Sequence, residues 1–278
     1  MKTIHTVVVV NDCGYVWEDL KPYLPKNVQW KFIRRTRSLW DKTLGLFLKI
    51  LFSKGDFYIV NFALQDAWLV QKLKHLDLLI CHGGDVRWTI KKKWWGWIVK
   101  SNLKHAKHVA YTVDDIAEDL LKFRSDAFFM YRPVQAENYT PHKHRVTFKS
   151  KSFHAVYFEK PYDKIQPNLV RYLIDNDCTL TTINNLIPHK LMPIFLRNFD
   201  VLIDHMAYNG SVSKICLEAM SCGLCVITWK DKDHLKERVT ELLDPQKRAE
   251  ESLINRKFVM ENHNANNIAV TVQNWLTT

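Results

Sequence analysis

Glu218 is the one carboxylate in an otherwise small and mostly apolar run, Lys214 to Cys222 (KICLEAMSC). An ionised side chain in such surroundings needs a partner, because burying an unpaired charge is costly. Just ahead of it come Asn209, Gly210 and Ser211, and either Ser211 or Ser213 can cap the helix that follows. A helix start presents main-chain N–H groups and the positive end of its dipole, so 209–213 reads as an anion site of phosphate type. The plainer alternative is an acid that merely pairs or caps inside an α/β core. Cys222 and Cys225 have the spacing of a redox or zinc pair, yet no second pair accompanies them. Most of the remaining cysteines sit in apolar stretches, where a thiol behaves as a small hydrophobe.

These residues need a scaffold. Residues 199–204 (FDVLID) form an apolar run of strand length, 205–210 a loop, and 225–228 (CVIT) the next strand; Gly223 falls where a left-handed helix cap is expected. Two apolar strands around one helix imply a βαβ unit in a parallel sheet, whose ligands bind at the carboxyl ends of the strands. The same rhythm runs along the chain, with strands expected at 7–10, 57–61, 76–81, 109–112 and 128–131, then at 153–158 and 179–183, and a last helix at 264–276. At 278 residues the chain exceeds what one core usually holds, and 47% hydrophobic residues suffice for two. The expected fold class is α/β, a doubly wound pair facing across a cleft, with domains at 1–140 and 141–278.

Charge is the second informative feature. The formal net charge is +11. Between Arg87 and His108 there is no Asp or Glu, while Lys91, Lys92, Lys93, Lys100, Lys104 and Lys107 alternate with Trp88, Trp94, Trp95 and Trp97. Indoles beside lysines suit an anionic membrane surface. Residues 31–54 repeat the pattern with Leu46, Phe47, Leu48, Ile50, Leu51 and Phe52, and neither run reaches the length of a spanning helix. Two other readings stand beside this one. In the first, the Trp residues fill a core and the lysines are a solvated face; in the second, the stretch binds nucleic acid, which ranks lower for want of a matching motif. The first apolar run, 7–10, is too short for a signal peptide, so the expected location is cytoplasmic, peripheral at the membrane.

The string Glu218-Ala219-Met220-Ser221-Cys222-Gly223, followed by Val226 and Ile227, resembles the EAMACGxPVI signature of family 4 retaining glycosyltransferases. Residues 77–87 (DLLICHGGDVR) are similar to that family's HGSDIR-type loop, 110–141 to the end of its first domain and hinge, and 181–204 to the segment before its signature. The resemblance implies the GT-B fold, two Rossmann-like domains facing across a cleft, with the last helix crossing back to the first. It also implies roles. Glu218 would bond the ribose hydroxyls of a sugar nucleotide, Gly210, Ser211 and Ser213 would hold its diphosphate, and Leu186 and Ile187 would meet its base. Lys160 and Lys164 are the cations available in the first loop of the second domain. Gly14 and the loop His82-Gly83-Gly84-Asp85, with Arg87, would border the acceptor and the transferred sugar.

In that arrangement His82 can bond the sugar, and Asp85 can orient or deprotonate an acceptor hydroxyl; equally, Asp85 can cap the next helix and pair with Arg87. Three departures stand out. Gly210 replaces a second Glu eight residues before Glu218, Cys225 replaces Pro, and Arg132 and Gln135 replace the hinge Asn and Asp. The implied reaction moves a sugar from a nucleoside diphosphate sugar to a glycan or lipid-linked acceptor hydroxyl, with retention. Neither metal nor cofactor is expected, because a helix terminus with lysine can hold the leaving charge. The alternatives are a sugar-nucleotide binder without turnover and a basic nucleic-acid-binding protein.

Overall fold

Short apolar runs set the strands. The computed structural model describes residues 4–35, 38, 40–141, 150–159, 167–204, 212–228 and 232–277. The chain runs β1 (Thr6–Val10), α1 (Val16–Leu20), β2 (Gln29–Ile33), α2 (Leu46–Phe52), β3 (Phe57–Asn61), α3 (Gln65–Leu73), β4 (Leu78–Cys81), α4 (Gly84–Arg87), α5 (Lys93–His105), β5 (His108–Tyr111), α6 (Ala117–Leu121) and β6 (Phe128–Phe129). It continues with β7 (His154–Phe158), α7 (Pro167–Asp175), β8 (Thr179–Ile183), α8 (Met192–Leu196), β9 (Val201–Asp204), α9 (Lys214–Ser221), β10 (Cys225–Thr228), α10 (Lys232–Leu242), α11 (Pro245–Asn262) and α12 (Ala265–Thr277).

Contacts divide the chain into two compact units, Met1–Pro133 with Ala265–Thr278, and Val134–Asn264. The division falls at Val134, earlier than the expected 141, and the last helix goes with the first unit. Here the α12 residues Ala265, Ile268, Ala269 and Val272 share a core with Val16, Trp17 and Leu20 of α1.

The first unit holds a parallel sheet in the order β2-β1-β3-β4-β5-β6. Alternation along β1 sends Val8 and Val10 towards α2, α3 and α5, and Val7 and Val9 towards α1 and α12. Edge strand β2 was not expected. Its sequence, QWKFI, mixes polar and aromatic residues, and it lies inside the stretch that composition suggested was surface-seeking. That suggestion is corrected in part, since Leu46 and Ile50 are wholly buried while Phe52 is 75% exposed.

The second unit holds a parallel sheet in the order β10-β9-β7-β8. Both sheets thus share one winding: the first strand of each unit lies between its second and its third. Between first and third the chain reverses its direction of travel, and ligands of such sheets bind outside the carboxyl ends there. In the first unit these strands are β1 and β3; in the second they are β7 and β9.

A repeated carboxylate clamp fixes the register at the amino ends. The residues ahead of β3, β4 and β9 are Asp56, Asp77 and Asp200. Each donates its main-chain N–H to the carbonyl of a residue on the neighbouring strand, Thr6, Tyr58 and His154 respectively. Each then takes that same residue's N–H on Oδ2, at 3.0, 2.8 and 2.9 Å. Among the described residues no helix is long and apolar enough to cross a membrane.

Candidate functional site

In the second unit, α9 starts as the sequence suggested. Ser213 is its N-cap, and its Oγ accepts the Cys216 N–H at 3.3 Å. The hydroxyl proton has another destination, Asp204 Oδ2 at 2.6 Å, to which the Cys216 thiol also points at 3.2 Å. Burial, then the Asp204 charge, push that thiol well above its usual range. The Ser213 hydroxyl is therefore committed to the end of β9, which corrects its expected use as a donor to phosphate. What this helix start offers an anion is main-chain N–H groups and dipole. Gly210, Ser211, Lys160 and Lys164 lie outside the described residues; β7 ends at Phe158 and β9 at Asp204, the strands that flank the reversal point.

Glu218, one turn further along α9, is 3% exposed. Its Oε1 meets His189 Nε2 at 3.1 Å and Lys214 Nζ at 4.0 Å. Tyr139 Oη stands 3.4 Å from the same His189 nitrogen. His189 opens the turn that follows Leu186, Ile187 and Pro188, and those three residues line a groove of about 760 Å³ together with Leu191, Ile194 and Phe195. Leu186 is 81% exposed there. The structure thus brings Leu186 and Ile187 onto one groove, next in sequence to the partner of Glu218. Sequence reasoning missed His189 as that partner, although an apolar-helix acid and a Pro-His-Lys turn were both in plain view.

Cys222 and Cys225 do not form a reactive pair. Both are fully buried, and their thiols point to different carbonyls, Pro193 and Arg248.

In the first unit the carboxyl edge of the sheet carries a saturated network. Asp85 has no exposed surface, and its two oxygens accept main-chain N–H groups from Ala63 (2.9 Å), His82 (3.1 Å), Gly83 (3.0 Å) and Val86 (3.2 Å). Burial raises its pKa against those bonds, which lower it. This overturns its role as a base, because an acceptor hydroxyl cannot reach an enclosed, fully engaged carboxylate; nor is it the cap of α4, which is Gly83, since Asp85 stands inside that helix and ties its start to the loop after β3. The pairing with Arg87 is corrected too: Arg87 Nε donates to Asp115 Oδ2 at 2.6 Å. Gly83 has φ 109°, and a Cβ there would meet the Arg87 guanidinium at 3.1 Å.

His82 contacts Asn61 Oδ1 through Nε2 and Thr112 Oγ1 through Nδ1, each at 3.1 Å. Each ring nitrogen thus faces a hydrogen-bonding partner. Desolvation, helped by Arg132, holds its pKa at about 3, leaving a neutral ring with both nitrogens engaged. Arg132 itself donates to Thr112 Oγ1 at 3.2 Å and to the His82 carbonyl at 3.3 Å. The expected bond from His82 to a sugar would have to break this network.

The opening lies beside that network, outside β1 and β3. A pocket of about 490 Å³ is lined by Asn11, Arg35, Phe62, Asp66, Lys92 and Trp95 among others. Asp66 is 2% exposed, pairs with Arg35 at 3.3 Å, and has its pKa raised by burial. The backbone is left-handed at Asn11 (φ 56°), Gly14 (φ 67°), Tyr15 (φ 57°) and Phe62 (φ 77°), strain that collects on the two loops leaving β1 and β3. Gly14 lies on the loop that leaves β1, next to the lining residue Cys13, whereas Arg35 and Asp66 were missed, since each is an ordinary surface residue by type.

No protein-family model matches the chain, and no curated protein matches it. Among solved structures it is similar to HepE of Anabaena in complex with UDP-glucose, at 10% identity over 98% of this chain and 99% of that one, TM-score 0.69. It is also similar to an S. aureus MnaA–UDP co-structure (11% identity, 96% and 94% covered, TM-score 0.60) and to a UDP-N-acetylglucosamine 2-epimerase (9% identity, 97% and 94% covered, TM-score 0.56). At these identities the likeness is one of fold: the chain has the parallel-sheet α/β fold of proteins crystallised with UDP and UDP-glucose.

Proposed function

We propose that the chain is a glycosyltransferase that moves a sugar from a nucleoside diphosphate sugar to an acceptor hydroxyl. The observation that carries the reading is Glu218, a buried carboxylate on α9 whose partners His189 and Lys214 can be exchanged for ribose hydroxyls, beside a groove that presents Leu186 and Ile187 to a flat base. The start of α9 offers N–H groups and dipole to a diphosphate, and Lys160, Lys164, Gly210 and Ser211 come after β7 and β9 in the sequence. Negative charge grows on the leaving diphosphate as the glycosidic bond breaks, so such donors lower the barrier without a metal. Transfer with retention fits the resemblance at Glu218–Ile227. In the first unit, the pocket at β1 and β3 supplies the acceptor side. The reading is of a cytoplasmic enzyme.

The test is a thermal-shift series with UDP, GDP and ADP, followed by donor turnover in the presence of chelator. Stabilisation by one diphosphate, lost in Glu218→Ala, is the expected result; no shift with any of them overturns the reading. A second reading is epimerisation of the sugar on its nucleotide, favoured by the likeness to a 2-epimerase. Incubating UDP-N-acetylglucosamine without acceptor separates the two, because an epimerase yields the isomeric sugar nucleotide. Stabilisation without any turnover would leave a sugar-nucleotide binder, in line with Gly210 standing where the resemblance expects Glu.

A further inference from the structure

Helix α5 is built with two contrasting faces. Gly96, Ile98, Val99, Asn102 and Leu103 are buried, while Lys93, Trp94, Trp95, Trp97 and Lys100 are all exposed. Trp94 and Trp97 stand 69% and 55% exposed, their rings 6.0 Å apart, and Trp88 in the preceding turn is exposed as well. This removes the reading in which these indoles fill a core. Gly96 fixes the arrangement, since a Cβ there would lie 2.3 Å from the Ile90 carbonyl oxygen, so the turn bearing Lys91 and Lys92 is pressed against the helix start.

Every strand of this sheet is parallel, so each helix begins at the carboxyl edge. The indoles therefore gather at the edge where the 490 Å³ pocket opens, and Trp95 and Lys92 line that pocket. Exposed Trp40 and Leu44, just ahead of α2, lie at the same edge. Large apolar groups are rarely left in water over such a stretch. The stretch from Arg87 to His108 has no acid of its own; Asp119 pairs with Lys91 at 3.5 Å and Lys100 lies over the Phe123 ring at 5.1 Å, and the amphipathic indoles with these exposed amines match a layer of anionic headgroups over acyl chains.

We infer that this rim, centred on Trp88, Trp94 and Trp97 with Lys91, Lys93 and Lys100, seats the first unit on an anionic phospholipid bilayer. The inference does not depend on the donor reading. Resting on the transferase reading, it adds that an acceptor entering the pocket past Trp95 and Lys92 comes from the bilayer, hence is lipid-linked.

The test uses the full chain with phosphatidylcholine vesicles, with and without about 30% phosphatidylglycerol, read by co-sedimentation at several salt concentrations. The expected result is saturable binding to the anionic vesicles that weakens steeply with salt, since each lysine near such a surface is worth about fivefold in partition. Lys91→Gln with Lys93→Gln should weaken binding at least about tenfold. Trp94→Ala with Trp97→Ala should do likewise and should lower quenching of tryptophan fluorescence by brominated acyl chains, with unfolding temperatures unchanged in both variants. Equal binding to neutral vesicles, no binding to either, or binding that RNA abolishes in competition would overturn the inference. So would self-association, without vesicle binding, that the Trp double variant disrupts, which would assign the face to a second copy of the chain.

Discussion

At the carboxyl edge of the six-stranded sheet the polar side chains are spent on one another. Asp85 takes four main-chain N–H groups, His82 bridges Asn61 and Thr112, and Arg132 closes the set. In the second unit, Glu218 rests against an imidazole and, at 4.0 Å, an amine, and the imidazole follows the groove residues Leu186, Ile187 and Pro188 in sequence. Both are buried acids in parallel sheets of the same winding. The difference lies in their partners: Asp85 is held by main-chain N–H groups and acts as a brace, whereas Glu218 is held by side chains, those of His189 and Lys214.

The contrast can be broken most forcefully at Asp85. Asp85→Ala leaves four main-chain donors without their acceptor and should lower unfolding free energy by at least about 3 kcal/mol in urea titrations. A loss below about 1 kcal/mol would mean that the loop re-forms its bonds elsewhere. Glu218→Gln should behave in the opposite way. It keeps the shape of the pocket and most of the stability, but nucleoside diphosphate binding by calorimetry should weaken by about 1.5–3 kcal/mol, ten- to hundredfold, as charged hydrogen bonds are lost.

The third effect concerns pH. The folded His82 ring takes up its second proton only near pH 3, against an ordinary 6.5, so on acidification the unfolded chain protonates first. Its stabilising contribution is complete above about pH 6.5 and is lost as pH falls towards 3, with a limiting slope of about 1.4 kcal/mol per pH unit. Comparing parent and His82→Gln by chemical denaturation between about pH 6 and pH 4 isolates it, and parallel curves would show that the ring titrates normally. The smallest change is expected at Leu186→Ala, which removes exposed apolar contact from the groove and should weaken nucleotide binding by about 1 kcal/mol or less without moving the unfolding midpoint.

Much of this was legible in the sequence because it is local. The strands Val201–Asp204 and Cys225–Thr228 announce themselves by apolar runs between turn residues, edge strand Thr179–Ile183 by its β-branched residues, and the Ser213 cap and the left-handed Gly223 (φ 74°) follow from single positions. What stayed hidden depends on tertiary neighbours. Asp85 looked catalytic until Ala63, from another loop, was seen to bond it. The pocket pair Arg35 and Asp66 joins the segment after β2 to the first turn of α3, and neither type is unusual. Composition likewise could not tell which face of α5 its Trp residues occupy, since four indoles suit a core as readily as a surface. Edge strand β2 escaped because a half-exposed strand shows no clean apolar run.

The three aspartate clamps carry a consequence for how this architecture can change. By locking each strand to its neighbour before the first residue of the ladder, Asp56, Asp77 and Asp200 make alignment a property of the amino ends alone. A one-residue slip would reverse which side chains face inward. With that hazard handled at one end, segments at the opposite end can be lengthened, shortened or exchanged without sliding the sheet. Grafting new loops there should therefore be tolerated far better than replacing a clamp by alanine.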